Sequence, residues 1–327
     1  MKPVFHPRLI NGYFDDPCLS VRILHEKRVI LFDLGNIYSL KPADLYKITD
    51  VFVTHTHMDH FIGFDTLLRG ILRRDLPLNI YGPSSILPCI EGRLKGYTWN
   101  LIKDYPTEIH VFAYNGRYLT HSLFQAKNKF KKQTVSRSQS EGLLLQNSMF
   151  TVRAVKLDHG IPCLAYSLEE NFHINIDKAL LEKKGLSVGA WLNDFKRILR
   201  EQPEDRQQTV RIGDKGSLQF FSVSELSDIA RITIGQKISY ATDIALKQNN
   251  FARLASLIKD SDIFFCEAYF LEQDRERAIE RSHLTARTAG SLAKKAGVKR
   301  LELMHFSSKY RDCPDKLIEE AMREFHG

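Results

Sequence analysis

Three histidines and an aspartate fall within six residues, His55, His57, Asp59 and His60 in the run His55-Thr56-His57-Met58-Asp59-His60. The chain has 12 histidines in 327 residues, so random placement rarely gives this density, and the cluster needs a cause. Imidazole nitrogens and carboxylate oxygens are the donors that borderline divalent cations accept. Two residues apart after a strand, His55 and His57 can point the same way. The turn into a helix beginning near Ile62 lets Asp59 and His60 face a second position. One short loop can therefore serve two ions. A lone histidine here would read as structural, whereas the four-member set reads as a metal cluster.

Two closely spaced dications need more ligands, including a bridging carboxylate, and these must come from other elements. Several short β-rich runs end in a suitable residue: Val29–Phe32 before Asp33, Val51–Thr54 before His55, Thr151–Val155 shortly before Asp158 and His159, Ile238–Tyr240 before Asp243, and Leu301–Met304 before His305. His159, Asp243 and His305 supply the missing imidazoles and carboxylate. The repetition predicts strands of one layered core delivering side chains to a common edge. Helical spacing alternates with these runs, at Phe64, Leu67, Leu68, Ile71 and Leu72 and again at Leu284, Thr288, Leu292 and Lys295. The predicted class is α/β, with sheets covered by helices.

Bulk properties agree with a metal-dependent globular protein. At 43% hydrophobic and 26% charged residues the composition is ordinary, and the length suits one large domain, 1–327, carrying an insertion. No apolar run approaches the ~20 residues of a membrane-spanning helix. The opening Met1-Lys2-Pro3-Val4-Phe5-His6-Pro7 has no apolar core of a secretory signal, so a cytoplasmic protein is expected. Five scattered cysteines, Cys18, Cys89, Cys163, Cys266 and Cys313, form no C-x-x-C pair and read as reduced, mostly buried thiols. The net charge of +8 favours a polyanionic partner through counterion release. It is concentrated in Lys127-Asn128-Lys129-Phe130-Lys131-Lys132, with Arg137 soon after, which reads equally as a solvated loop.

The stretch 169–219 reads differently: a helical segment Asp177 to Lys184, a break at Gly185, a second from Trp191 to Arg200 and a polar tract Glu201 to Gln208. It is expected to be a helical insertion or protruding arm.

The pattern H-x-H-x-D-H followed by a distant His, Asp and His resembles the metallo-β-lactamase superfamily. That resemblance implies a four-layer αββα sandwich with the metals at one sheet edge. It implies further that His55, His57 and His159 hold a first ion, that Asp59, His60 and His305 hold a second, and that Asp243 bridges them. Two divalent ions, preferentially zinc with manganese or iron as alternatives, are the implied cofactors. Redox di-iron relatives carry Glu where His57 stands, so hydrolysis is favoured. Asp33, in Phe32-Asp33-Leu34-Gly35, resembles the buried family aspartate that supports the metal loop.

The C-terminal third is more specific. Cys266-Glu267-Ala268-Tyr269, Arg281-Ser282-His283-Leu284-Thr285-Ala286-Arg287 and Met304-His305-Phe306-Ser307-Ser308-Lys309-Tyr310 are similar to ribonuclease Z, the tRNA 3′-end endonuclease. Cys266 stands where that family has His, Tyr269 where it has Thr, Leu284 where it often has Ser, and Lys309 where it has Arg. None of these departures removes an expected ligand. Phosphodiester cleavage needs an activated water, charge neutralisation on the phosphoryl oxygens and a proton for the departing ribose oxygen. Two metals suit the first two needs. His283, oriented by Glu267, suits the third, and Asp59 could take the water's proton. A helix cap is the plainer reading of His283.

The expected activity is thus a zinc-dependent phosphodiesterase cutting tRNA precursors on the 3′ side. Two alternatives stand beside it, a hydrolase of this fold for a small phosphodiester, lactone or thioester, and an RNA-binding scaffold without turnover. Gly185-Leu186-Ser187-Val188-Gly189-Ala190-Trp191 resembles the Gly-Pro segment of the family's tRNA-gripping arm, with Ala190 in the place of Pro; a lid or dimer contact is the alternative. A homodimer is expected by analogy with the family.

Overall fold

The run Val29–Phe32 is buried throughout, as is Ile48–Phe52. A strand apolar on both faces must lie between two layers. In the computed structural model, which describes residues 3–24, 26–202, 204–205, 207–213 and 218–327, both strands sit inside an eight-stranded sheet. Its strands run in chain order: β1 (Phe5–Leu9), β2 (Leu19–Ile23), β3 (Val29–Phe32), β4 (Ile48–Phe52), β5 (Leu78–Pro83), β6 (Glu108–Tyr114), β7 (Tyr118–Gln125) and β8 (Gln133–Gln139). The centre, β3 to β6, is parallel and its flanks are antiparallel. Pro7 lies on the edge strand β1, where its missing N–H breaks no ladder. At the other edge β8 is exposed along its whole length.

The chain continues with β9 (Leu143–Gln146), β10 (Phe150–Asp158), β11 (Pro162–Glu170), β12 (His173–Ile176), β13 (Thr209–Ile212), β14 (Gln219–Ser222), β15 (Ala230–Thr233), β16 (Lys237–Ala241), β17 (Ile263–Glu267) and β18 (Leu301–Met304). A second sheet has the order β18-β17-β16-β11-β10-β9. An aromatic ladder fills the space between the sheets. Phe32, Phe52, Tyr81, Phe112 and His121 stack in sequence across β3 to β7 at centroid separations of 5.3, 4.6, 4.6 and 4.4 Å. Tyr166 and Tyr240 from the second sheet pack onto Phe32 at 5.8 and 5.7 Å. Offset stacking of this kind adds to area burial.

Each sheet turns its other face to helices. Phe64, Leu67, Leu68 and Ile71 of helix Phe64–Ile71 share a core with Ile86, Ile90 and Leu94 of helix Ile86–Lys95 and with strand residues of the first sheet. Helices Gln248–Ile258, Ala286–Lys295 and Pro314–His326 cover the second sheet through Leu254, Ala289, Leu292, Leu317 and Ala321. The layers are therefore α, β, β, α. No helix among the described residues is long and apolar enough to cross a membrane.

Residues Gln146–Thr151 and Glu169–Gln236 make up most of a separate compact unit. Its core is its own: Leu181, Trp191, Phe195, Ile198, Val210, Leu226 and neighbours. Helices Lys178–Lys183, capped by Asp177, and Trp191–Glu201 match the apolar spacing of the sequence. The pairs β12–β15 and β13–β14 are also present, so the segment expected to be helical is a mixed unit. Their four-residue strands are too short to announce themselves by alternation. Parts of the expected polar tract and arm, at positions 203, 206 and 214–217, lie outside the described residues, as do Met1 and Lys2. The basic residues of these helices are partly neutralised within the unit: Lys184 pairs with Asp228, Arg197 with Asp194 and Glu201, and Arg200 with Glu170.

Candidate metal centre

Strand β4 ends at Phe52, and the chain turns through Thr54 and His55 into a single helical turn, Met58–Phe61. That turn starts four residues earlier than the helix expected near Ile62. Helical backbone at Asp59 and His60, against extended backbone at His57, separates the two pairs of ligands. Gly63 closes the loop. Its N–H donates to Leu34 O at 2.9 Å, and an added Cβ would lie 2.2 Å from Gly35 O, so only glycine lets the loop approach the β3 end this closely.

Asp33 is the hub beneath. Fully buried, it accepts from Thr54 N and Thr54 Oγ1 at 2.7 and 2.9 Å on one oxygen, and from His60 Nδ1 and Tyr240 OH at 2.8 and 2.9 Å on the other. Every partner here donates, so an amide cannot replace the carboxylate without opposing two donors. Asp33→Asn is expected to cost roughly 1–3 kcal/mol of stability and to weaken metal binding by about 10–100-fold. Chemical denaturation and a metal titration read the two effects, and undiminished metal affinity would remove Asp33 from this role.

Four imidazoles share one device. His60 Nδ1 donates to Asp33 and His159 Nδ1 donates to the Ser282 carbonyl at 2.8 Å. Thr54 Oγ1, donating to Asp33, accepts from His55 Nδ1 at 3.1 Å, and Thr242 Oγ1, donating to Asp243 Oδ2, accepts from His305 Nδ1 at 3.2 Å. Each ring is thereby oriented with its Nε2 toward the cluster, the arrangement metal-binding histidines use. The Nε2 atoms converge. His60 Nε2 lies 2.9 Å from Asp243 Oδ2, His159 Nε2 lies 3.4 Å from Asp243 Oδ1, and His305 Nε2 lies 3.6 Å from Asp59 Oδ2.

His55 Nε2 and His60 Nε2 are buried with no hydrogen-bond partner. The 2.9 Å approach of His60 Nε2 to Asp243 is thus a close contact out of hydrogen-bond alignment, as between two donors aimed at a common point. Donor atoms gather within 4.8 Å of one another in the sets His55, His57, His159 and Asp59, His60, His305; a further set joins Asp243 to His55 and His60. One carboxylate oxygen of Asp243 faces each trio. A buried nitrogen without a partner, in a nest of carboxylates, fits a divalent cation.

Electrostatics point the same way. Burial, reinforced by His60, pushes His55 down to about 2, leaving a neutral ring. Burial pushes the Asp243 carboxyl up, yet His305 and His60 together hold it well below the ordinary range. Asp59 behaves alike: burial raises it, and the neighbouring imidazoles of His305 and His60 outweigh that and lower it. The site keeps its carboxylates ionised only by surrounding them with positive charge.

Beside the ligands stands a second pair. Glu267, fully buried at the end of β17, accepts from Ile244 N and Leu284 N through Oε1 and from His283 Nδ1 at 2.8 Å through Oε2. Burial raises its carboxyl, but His283 brings it below its usual value. The cap of helix Ala286–Lys295 is Thr285, which frees His283 from the capping role. Tyr269 stacks on the His283 ring at 3.8 Å and 6°. The supporting roles of Thr54, Thr242, Tyr240 and Tyr269 escaped sequence reading, since only the fold brings them to Asp33, His305 and His283, which lie far from them in sequence.

Asp33, Asp243, Ser282 and His305 have left-handed backbones, with φ of 58°, 56°, 61° and 54°. Such conformations are uncommon outside glycine and cluster at functional sites. At Ser282 the turn carries its carbonyl to His159, joining the His283 loop to a residue of the first candidate trio.

Among solved structures, the metallo-β-lactamase fold protein YhfI from Bacillus subtilis matches with a TM-score of 0.57 over 100% of this chain and 95% of its own, at 16% identity. The chain has the metallo-β-lactamase fold. The short form of human tRNase Z has the same layers, with a TM-score of 0.54 over 91% of this chain and 92% of its own, at 19% identity. No protein-family model matches the chain. In sequence, this metallo-β-lactamase-fold chain is similar over most of its length to proteins named ribonuclease Z. The one from Deinococcus radiodurans is 28% identical over 296 residues, 88% of this chain and 85% of its own.

Proposed function

We propose that this protein is a two-metal phosphodiesterase that cuts tRNA precursors on the 3′ side, as the names of its relatives suggest. The observation that carries the metal part is the common anchoring of four imidazoles through Nδ1, with Nε2 atoms converging on the two oxygens of Asp243. His55, His57 and His159 would hold one ion and Asp59, His60 and His305 the other, with Asp243 between. The nitrogen-rich donor set favours zinc. Bound there, the ions supply an acidified water and neutralise the phosphoryl oxygens.

The chain's own groups do the rest. Water oxygen attacks phosphorus, and Asp59, 42% exposed at its side chain, accepts the proton. The bond from phosphorus to the ribose 3′ oxygen breaks, and a proton from His283 Nε2 goes to that oxygen, leaving a 3′-hydroxyl on one product and a 5′-phosphate on the other. Glu267 holds His283 in orientation for the transfer. A lactone or thioester has less need of such an acid.

Metal-loaded protein is expected to cut a 3′-extended tRNA precursor at the trailer junction and to hydrolyse bis(p-nitrophenyl) phosphate. Hydrolysis of the small diester alone would end the tRNA assignment and leave a general phosphodiesterase; hydrolysis of neither would end both.

A further inference from the structure

The His283 ring closes one wall of a cavity of about 190 Å³ whose other walls carry positive charge and aromatic surface. Arg277 and Arg281 reach it from helix Arg275–Arg281. Spaced i, i+4, they are neighbours on one helix face. Both are exposed; the charge of Arg277 acts on the Asp274 carboxyl and helps to lower it, with no salt bridge or hydrogen bond of either guanidinium among the described residues. Lys309 also lines the cavity, but Asp274 holds its ammonium at 2.6 Å through both oxygens. Tyr269 and Phe270 form the apolar side, and no carboxylate is among the lining residues.

Two guanidiniums on one helix face, opening into a cavity with no carboxylate among its lining residues, make a site for a phosphate. Guanidinium forks bind phosphate oxygens in pairs, with more geometric definition than ammonium. The volume is below that of a pocket for a drug-sized molecule. It suits a ribose phosphate, with the base left at the mouth. What decides the occupant is His283. A proton donor to the departing 3′ oxygen must lie beside the ribose that carries that oxygen, and the next phosphate along the strand is attached to the same ribose at its 5′ position.

We propose that this cavity is the subsite for the nucleotide immediately upstream of the cut, with Arg277 and Arg281 gripping the phosphodiester on its 5′ side and Tyr269 and Phe270 bounding its sugar. The inference rests on the phosphodiesterase reading for the identity of the leaving group. It makes these two arginines binding residues for the RNA backbone rather than part of the general surface charge. The register of cleavage is then set in part by the distance of one nucleotide between the arginine pair and His283.

A nucleoside 5′-monophosphate has the 5′-phosphate and free 3′-hydroxyl of the product's last nucleotide, so adenosine 5′-monophosphate is the probe. Metal-loaded protein should bind it in a calorimetric titration, and Arg277→Ala with Arg281→Ala should weaken binding tenfold or more. Lys299→Ala with Arg300→Ala removes as much charge from residues paired with Asp262 and Glu302 and should leave the affinity as it was. In a second arm, a precursor RNA carries a neutral methylphosphonate one linkage upstream of the cut. The parent should lose at least tenfold in kcat/KM on this substrate, and the arginine double variant should show no such sensitivity. Absence of binding by the parent, or equal binding by parent and arginine variant, overturns the subsite. A parent that binds the nucleotide through the arginines but cuts no RNA overturns the proposed function and leaves a nucleotide site. RNA cleavage with equal methylphosphonate sensitivity in both proteins overturns the subsite alone. Melting curves for the variant establish that it is folded.

Discussion

Asp243→Ala is expected to abolish stable two-metal occupancy and to reduce phosphodiester turnover by about 10³-fold or more. Asp243 offers one oxygen to each trio, 3.4 Å from His159 Nε2 and 2.9 Å from His60 Nε2, so its loss removes a donor from both positions at once. Lewis-acid and water-activation effects are each worth several kcal/mol in the transition state, and every 1.36 kcal/mol is a factor of ten. The substitution also leaves His60 and His305 without the carboxylate that most favours their charged forms. Their imidazoles then give up a proton more readily, which works in favour of metal binding, so the predicted loss comes from the missing carboxylate oxygens and not from protonation. Elemental analysis after gel filtration and initial rates on bis(p-nitrophenyl) phosphate read the outcome. Two ions still bound, or turnover within tenfold of the parent, would contradict the bridging assignment.

His283→Ala should separate the metals from the acid. Its ring packs 5.0 Å from that of His159 and its Nδ1 lies 3.4 Å from Asp243 Oδ1, yet it belongs to neither trio, so metal content is expected to stay near the parent value. Turnover of an RNA precursor should fall by roughly 10²–10⁴-fold, the usual contribution of a positioned general acid. The loss must depend on the leaving group. A ribose alkoxide needs a proton as the bond to phosphorus breaks, whereas p-nitrophenolate departs readily without one. On bis(p-nitrophenyl) phosphate the same variant should therefore lose far less. Equal activity of variant and parent on both substrates would remove His283 from the mechanism, and equal large losses on both would point to damaged metal geometry instead. Glu267 supports the leaving-group-dependent loss: both its oxygens are engaged, two backbone amides on one and His283 on the other.

The donors that lie close in sequence were the easiest to read. His55, His57, Asp59 and His60 are visible as a cluster because one strand end and one helical turn carry all four. His159, Asp243 and His305 were legible as residues following β-rich runs, since parallel and mixed sheets deliver side chains from strand ends. What supports them was not. Tyr240 reaches Asp33 across 207 residues of sequence, and nothing in either neighbourhood announces the pair. Thr54 and Thr242 look like ordinary strand threonines, yet their hydroxyls fix the tautomers of His55 and His305. In the smaller unit, the helices at Lys178–Lys183 and Trp191–Glu201 were plain from their apolar spacing, whereas the β12–β15 and β13–β14 pairings join short strands whose partners are distant or lack a tight-turn signature.

The left-handed backbones at Asp33, Asp243, Ser282 and His305 bear on the order in which this protein is assembled. A residue other than glycine held there is disfavoured by roughly 1–3 kcal/mol, and a bound ion is poorly placed to impose a backbone torsion on Asp33 or Ser282, which are not among its ligands. The surrounding chain must set these torsions as it folds, through the Asp33 hub and the turn that brings Ser282 to His159. Cations then arrive last, at a template already cast. A site made in this sequence would exchange one dication for another without unfolding, so the identity of a bound metal would follow supply as well as the protein.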